Sequence, residues 1–172
     1  MSWTREKELF LNLSAAESWI KLDEPGEPRP IGMALVDFVI VERERTIMVE
    51  VKDPSDQGAP ERERHSFVRR LSGDEYLAGR LIPKARDSYC YLHLMGLDDK
   101  PILFVLLLGL ERTPVEAAQL LATKERILSK LRWESDRPWS HPYVKDCAVV
   151  TVDGWKRYLP KYPIKRCAPR ER

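Results

Sequence analysis

An uninterrupted apolar run, PILFVLLLGL at residues 101–110, constrains this chain more than any other stretch. It is about half of the roughly 18 residues a membrane span needs, so it has to be buried in protein. With no polar side to present to water, it reads as a strand in the centre of a sheet covered on both faces. At 172 residues the chain can bury such a sheet in a single domain over 1–172, with a core of about 4–133 and a C-terminal strand and basic tail over about 134–172.

The remaining elements are predicted around that strand. Leu9, Leu13, Ala16 and Ile20 recur at helical spacing and predict an amphipathic helix over 4–22, which DEPGEPRP breaks. VDFVIV and IMVEVK, separated by a charged tetrapeptide, predict a hairpin. DPSDQGAPERER is turn-rich, and HSFVRRLSGDEYLAGRLI is at best partly helical. Pro83 suits a first helical turn, with Gly96 as the stop. After the apolar run, Thr113, Pro114 and Glu116 have capping-box spacing ahead of a helix to about Trp133. CAVVTV and DGWKRYL follow as a strand and a short helix. The class implied is α/β, a mixed central sheet flanked by helices, with a C-terminal helix and strand.

Cys90, Cys147 and Cys167 are an odd number with no CxxC pair, and the histidines number only three. That argues against a disulfide scaffold or a zinc ribbon and fits a reducing compartment. MSWTREKE lacks the basic-then-apolar order of a signal peptide, so a cytoplasmic location is expected. A net charge of +2, from 29 basic and 27 acidic residues, does not by itself indicate nucleic acid. The segment KRYLPKYPIKRCAPRER does concentrate Lys and Arg around Tyr158 and Tyr162. Such a tail can lie along phosphates or simply be solvated.

Charges inside the hairpin carry the chemistry. If Val41 faces Thr46, Asp37 lands opposite Glu50, and alternation puts Glu50 and Lys52 on one face. Opposed carboxylates in an apolar strand repel and cost several kcal/mol to bury unless compensated. Mg²⁺ compensates, taking Asp37, Glu50 and the Val51 carbonyl as ligands and leaving positions for water and phosphate oxygens. Lys52 would then stand beside the phosphate. The bland alternative is a solvated strand end in which Asp37 pairs with Lys52 or an arginine.

Asp37, twelve intervening residues, then Glu50, Val51 and Lys52 resemble the PD-(D/E)xK nuclease signature, with Val36 where the motif's name has proline. The resemblance covers roughly residues 5–110 in element order and only the hairpin in motif detail. It implies a restriction-endonuclease-like core of αβββαβ type and hydrolysis of DNA phosphodiesters with Mg²⁺, for which Mn²⁺ can substitute. Asp37 and Glu50 would be metal ligands and Lys52 catalytic. It also implies a helix glutamate reaching the metal, for which Glu17 is chosen over Glu6 and Glu8, and phosphate-facing cations, for which Lys84 and Arg86 are candidates. Such a core usually has a further strand between that first helix and the Asp37 strand; DEPGEPRPIG fills the space here, so either that strand is lost or IGMALVDFVIV bends into two. Sequence specificity would come from loops, a second copy or a specificity subunit. Two other readings compete: an inactive nuclease-fold subunit, and a helix-turn-helix in TPVEAAQLLATKERILSKLRW. The unbroken stripe of Ala117, Leu121, Leu128 and Leu131 makes the latter segment a single helix.

Overall fold

In the computed structural model, residues 3–24, 30–133 and 136–167 are described. Five strands form the central sheet in the order β3 (Ser18–Lys21), β4 (Phe38–Val41), β5 (Thr46–Lys52), β6 (Ile102–Leu108), β7 (Asp146–Thr151). The β3–β4–β5 pairs are antiparallel, and β5–β6–β7 are parallel. The apolar run is thus the central parallel strand, and all seven residues of β6 are buried. The α/β class and the mixed sheet flanked by helices are as expected.

Strand alternation divides the core into two layers. Val39, Met48, Phe104, Leu106 and Leu108 face α1 (Glu61–Leu71), α3 (Ile82–Leu94) and α4 (Ala117–Arg132), which contribute Phe67, Leu71, Ala85, Leu92, Ile127 and Leu131. A short α2 (Asp74–Tyr76) and a π-helical turn over Leu77–Leu81 lead into α3. On the other face Phe38, Ile40, Ile47, Val49, Val105 and Leu107 meet α5 (Val152–Tyr158) through Trp155. A second sheet, in the order β1 (Trp3–Glu6), β2 (Leu9–Asn12), β8 (Ile164–Arg166), completes that layer.

The expected helix over 4–22 is instead three strands. Leu9, Leu11 and Leu13 are all fully buried at a period of two, which overrides the helical spacing of Leu9, Leu13, Ala16 and Ile20. The strand that precedes and pairs with the Asp37 strand is β3, inside the expected helix; IGMALVDFVIV does not bend into two, since residues 30–37 carry no strand, and residues 25–29 lie outside the described residues. The basic tail is structural, because Ile164 pairs with Leu11 in β8 and Tyr162 is wholly buried. Residues 168–172 lie outside the described residues. At the start of α4 the capping box is Glu116 with Gln119, three residues past the Thr113 position expected. No helix among the described residues is long and apolar enough to cross a membrane.

The second sheet is tied to β5 through one arginine. Arg166 donates to both oxygens of Asp53 at 2.8 and 2.9 Å, and also to Glu8 and Glu111. Asp53, next after β5, is 2 % exposed. Gly109 makes this possible, because a Cβ there would collide with Asp53 Oδ1 and crowd the Arg166 guanidinium. Arg166→Ala would leave a desolvated carboxylate unpaired, at a cost of about 3 kcal/mol. It should melt on the order of 10 °C below wild type for a chain of this size. A melting temperature within a degree or two of wild type would show that the pair holds nothing.

Candidate functional site

The hairpin has the expected register, with Val41 opposite Thr46, and the ladder runs to Phe38 opposite Val49. Asp37 lies one residue beyond. Its carbonyl accepts from Leu22 on the β3 side, while its carboxylate Oδ2 accepts the Val51 N–H at 2.6 Å. A side chain thus takes the place of the next backbone partner, which anchors Asp37 against the end of β5. Strand alternation also sets the Val51 carbonyl. Lys52 O accepts from Gly109 on the β6 side, so Val51, one residue earlier, presents its N–H and C=O toward Asp37.

Glu50 and Lys52 project from the helix-covered face of β5, and Glu50 is 0 % exposed. Burying a lone carboxylate so completely costs several kcal/mol. Two ammonium groups offset that cost. Lys52 Nζ lies 2.6 Å from Oε1, while Lys84 Nζ lies 2.8 Å from Oε1, donates to Oε2 at 2.9 Å, and is 3.9 Å from Asp37 Oδ1. The Oε1 contacts are ion pairs without hydrogen-bond alignment, so this buried atom still lacks an aligned donor. Lys84 comes from the first turn of α3, on the side of Ala85 that borders the core.

The π turn brings Lys84 there. Pro83 has no N–H to return to Gly79, and Ile82 donates five residues back to Leu77 instead. Tyr76, Arg80 and Lys84 then recur every fourth residue and line one cleft of about 730 Å³ together with Lys52 and Arg70.

Burial raises Asp37 to about 7, and the charge of Glu50 adds to the rise, while Lys84 and the Val51 N–H pull the other way. Burial works against the Lys52 ammonium, but its interactions with Glu50, Tyr76 and Asp37 together outweigh it and hold the group above its ordinary value. Tyr76 is pushed up, chiefly by burial.

Of the residues singled out in the sequence, Asp37, Glu50, Val51, Lys52 and Lys84 come together. Arg86 does not join them; it is exposed and pairs with its neighbour Asp87. Nor does Glu17, which has no helix to stand on. It lies at the opposite end of the hairpin, its N–H donating to Val41 O and its carboxylate pairing with Lys100 at 3.0 Å. Among the upstream glutamates, Glu6 is the one whose charge reaches Asp37. Arg70, Tyr76 and Arg80 were missed. Only the four-residue spacing Tyr76, Arg80, Lys84 signalled them, and it sat in a stretch read as barely helical.

Among the described residues, no three His, Cys, Asp or Glu side chains converge as a metal cluster. Two carboxylates and a carbonyl nevertheless fit Mg²⁺, which commonly takes one or two carboxylates and fills its shell with water and phosphate oxygens. Oε1 of Glu50, now within 2.8 Å of two ammonium groups that a metal would displace, and Oδ1 of Asp37, whose Oδ2 takes the Val51 amide, are the atoms a metal would take.

Asp37 also makes stability depend on pH. Its value in the folded metal-free protein, about 7, lies above the ordinary 3.8. The folded state therefore holds the proton more tightly, a contribution that is complete below about pH 4 and lost as pH rises through about 7. Relative to Asp37→Asn, metal-free wild type is expected to lose on the order of a few kcal/mol across that window in urea unfolding. Parallel pH profiles for the two proteins would contradict a protonated Asp37.

No family model, curated protein or solved structure matches the chain, so the chemistry of this site is read from its own geometry.

Proposed function

We propose that the chain is a Mg²⁺-dependent endonuclease of the PD-(D/E)xK type that hydrolyses DNA phosphodiesters. One observation carries this reading. Two carboxylates and two lysines meet at the buried end of β5, on the wall of a cleft lined by further cations. From β3 onward the order of elements is compatible with the restriction-endonuclease-like core that the resemblance implies, with β3–β4–β5 as an antiparallel meander and β6 as the parallel strand reached through helices, while strands replace that core's first helix. The resemblance also places such an enzyme in prokaryotic defence, recombination or repair.

In this reading Asp37, Glu50 and the Val51 carbonyl hold Mg²⁺. When bound it would acidify a water and draw charge from the phosphate oxygens. Lys52 is better suited to neutralising charge on the phosphate than to removing a proton, since Glu50 keeps it an ammonium. Lys84 has its Nζ between the two carboxylates and can turn to a phosphate oxygen when they have another cation to bind. Burial of Glu50 excludes bulk water, which strengthens each of these interactions.

A second reading, an inactive nuclease-fold subunit that binds DNA or assembles with other proteins, draws on the same lysine. Lys84 already satisfies much of the charge of Glu50, as a permanent salt bridge would.

Supercoiled plasmid, single-stranded DNA and branched DNA, each with Mg²⁺, Mn²⁺ or EDTA, separate the two. The enzyme reading expects metal-dependent cutting that falls about a hundredfold or more in Asp37→Ala and Lys52→Ala, both still folded. It also expects Mg²⁺ to raise the melting temperature of wild type but not of Asp37→Ala. A wild type that cuts nothing and melts at the same temperature with and without divalent metal gives the site to the second reading.

A further inference from the structure

Lys52, Arg70 and Tyr76 form the wall between two cavities. One is the 730 Å³ cleft with Arg80 and Lys84. The other, of about 140 Å³, is bordered by Lys7 from the turn between β1 and β2. Cations of both cavities therefore flank the candidate site, with Glu75 bordering the first cavity and Glu63 and the Arg166-paired Asp53 the second. Several cations elsewhere in the fold are held by carboxylates, as Lys21, Arg45, Arg126 and Arg166 are. Lys7, Arg70 and Arg80 are exposed and have no ion pair among the described residues.

Lys7 is also the one non-glycine residue among those described with positive φ, at 54°. A lysine there gains nothing for the turn, since glycine adopts this conformation without steric cost and asparagine tolerates it better. A strained position that keeps a long cation pointing at a cavity is better explained by what the cation binds.

From this arrangement we propose that both cavities form one path for a single strand of DNA. In this path Arg80 and Lys7 hold phosphates on opposite sides of Lys52, and a base stacks on Tyr76. The choice of a polynucleotide over another polyanion rests on the nuclease reading. Tyr76 decides for a single strand. Its half-buried ring lies beneath the Arg70 guanidinium, 6.0 Å from it, and edge-on to Phe67, and it borders both cavities. A duplex hides its base faces in its own stack, whereas an unpaired base can turn one toward such a ring.

Fluorescence anisotropy in EDTA, from about 50 to 300 mM NaCl, tests the path with labelled oligo-dT and a duplex of equal length. The strand should bind more tightly than the duplex. Lys7→Gly and Arg80→Ala should each flatten the salt dependence by about 0.7 in slope, the value for one phosphate contact on a single strand. Lys7→Gly should melt at or above the wild-type temperature, which separates loss of the cation from damage to the turn. Tyr76→Leu should weaken binding about tenfold with its slope unchanged. A duplex bound as tightly as the strand, or wild-type slopes in both Lys7→Gly and Arg80→Ala, overturns the path. No cutting enters these measurements. A wild type that binds the strand yet never cuts with Mg²⁺ sinks the nuclease reading alone, while a protein that cuts but whose variants bind normally sinks only the path.

Discussion

Glu50 is a carboxylate with no solvent exposure in the middle of an otherwise apolar sheet, and the local structure is organised around that fact. A charge so desolvated has to be met by opposite charge, since loss of one partner from a buried pair costs several kcal/mol. Lys52 meets it from the same strand and Lys84 from α3. The second partner fixes where α3 begins relative to β5. That requirement accounts for the π turn and Pro83 immediately before Lys84, because an unbroken helix from Asp74 onward would present a different face to the sheet.

The place where this happens follows from sheet topology. β5 is antiparallel to β4 on one side and parallel to β6 on the other, and it outlasts the ladder with β4 by three residues while remaining paired with β6 to Lys52. Backbone groups of Val51 are therefore free of strand pairing on one side only, and Asp37 uses that gap. Just beyond, Asp53 is held by Arg166, and Ser55 donates its N–H to Gly109 O. Lys52 thus stands between two fixed points. The small β1–β2–β8 sheet, which has no part in the hairpin motif, holds the outer one.

Period-two and continuous apolar patterns were legible in the sequence. They located β4, β5, β6 and β7, gave the hairpin register, and brought Asp37, Glu50, Val51 and Lys52 together. The first twenty residues misled because ELFLNLSAAESWI satisfies both periods, and a helix–strand choice there depends on partners distant in sequence. Leu11 finds its own in Ile164. The same distance hid the clamp, for Arg166 and Asp53 are 113 positions apart and nothing local to either marks the other. Lys84 was legible because helical spacing put it at the core border beside Ala85. Glu17 was misplaced along with the helix meant to carry it.

Net charge proved a poor guide for a related reason. The basic tail was the most conspicuous concentration of cations in the sequence, yet Arg166 is consumed by three carboxylates, and Lys161 by Glu42. Arg80 and Arg70, unremarkable in a mixed-charge segment, face the cleft beside Glu50 without a carboxylate partner among the described residues. What distinguishes the two groups is the surroundings the fold gives them. The same reasoning applies to Lys84. Its α-carbon is fixed by the helix, but its ammonium ends a flexible four-carbon stem. In the proposed enzyme the metal and Lys84 compete for the same two carboxylates, and the side chain can yield without the backbone moving. One lysine can therefore stabilise the metal-free fold and still be free to meet phosphate once the metal has replaced it.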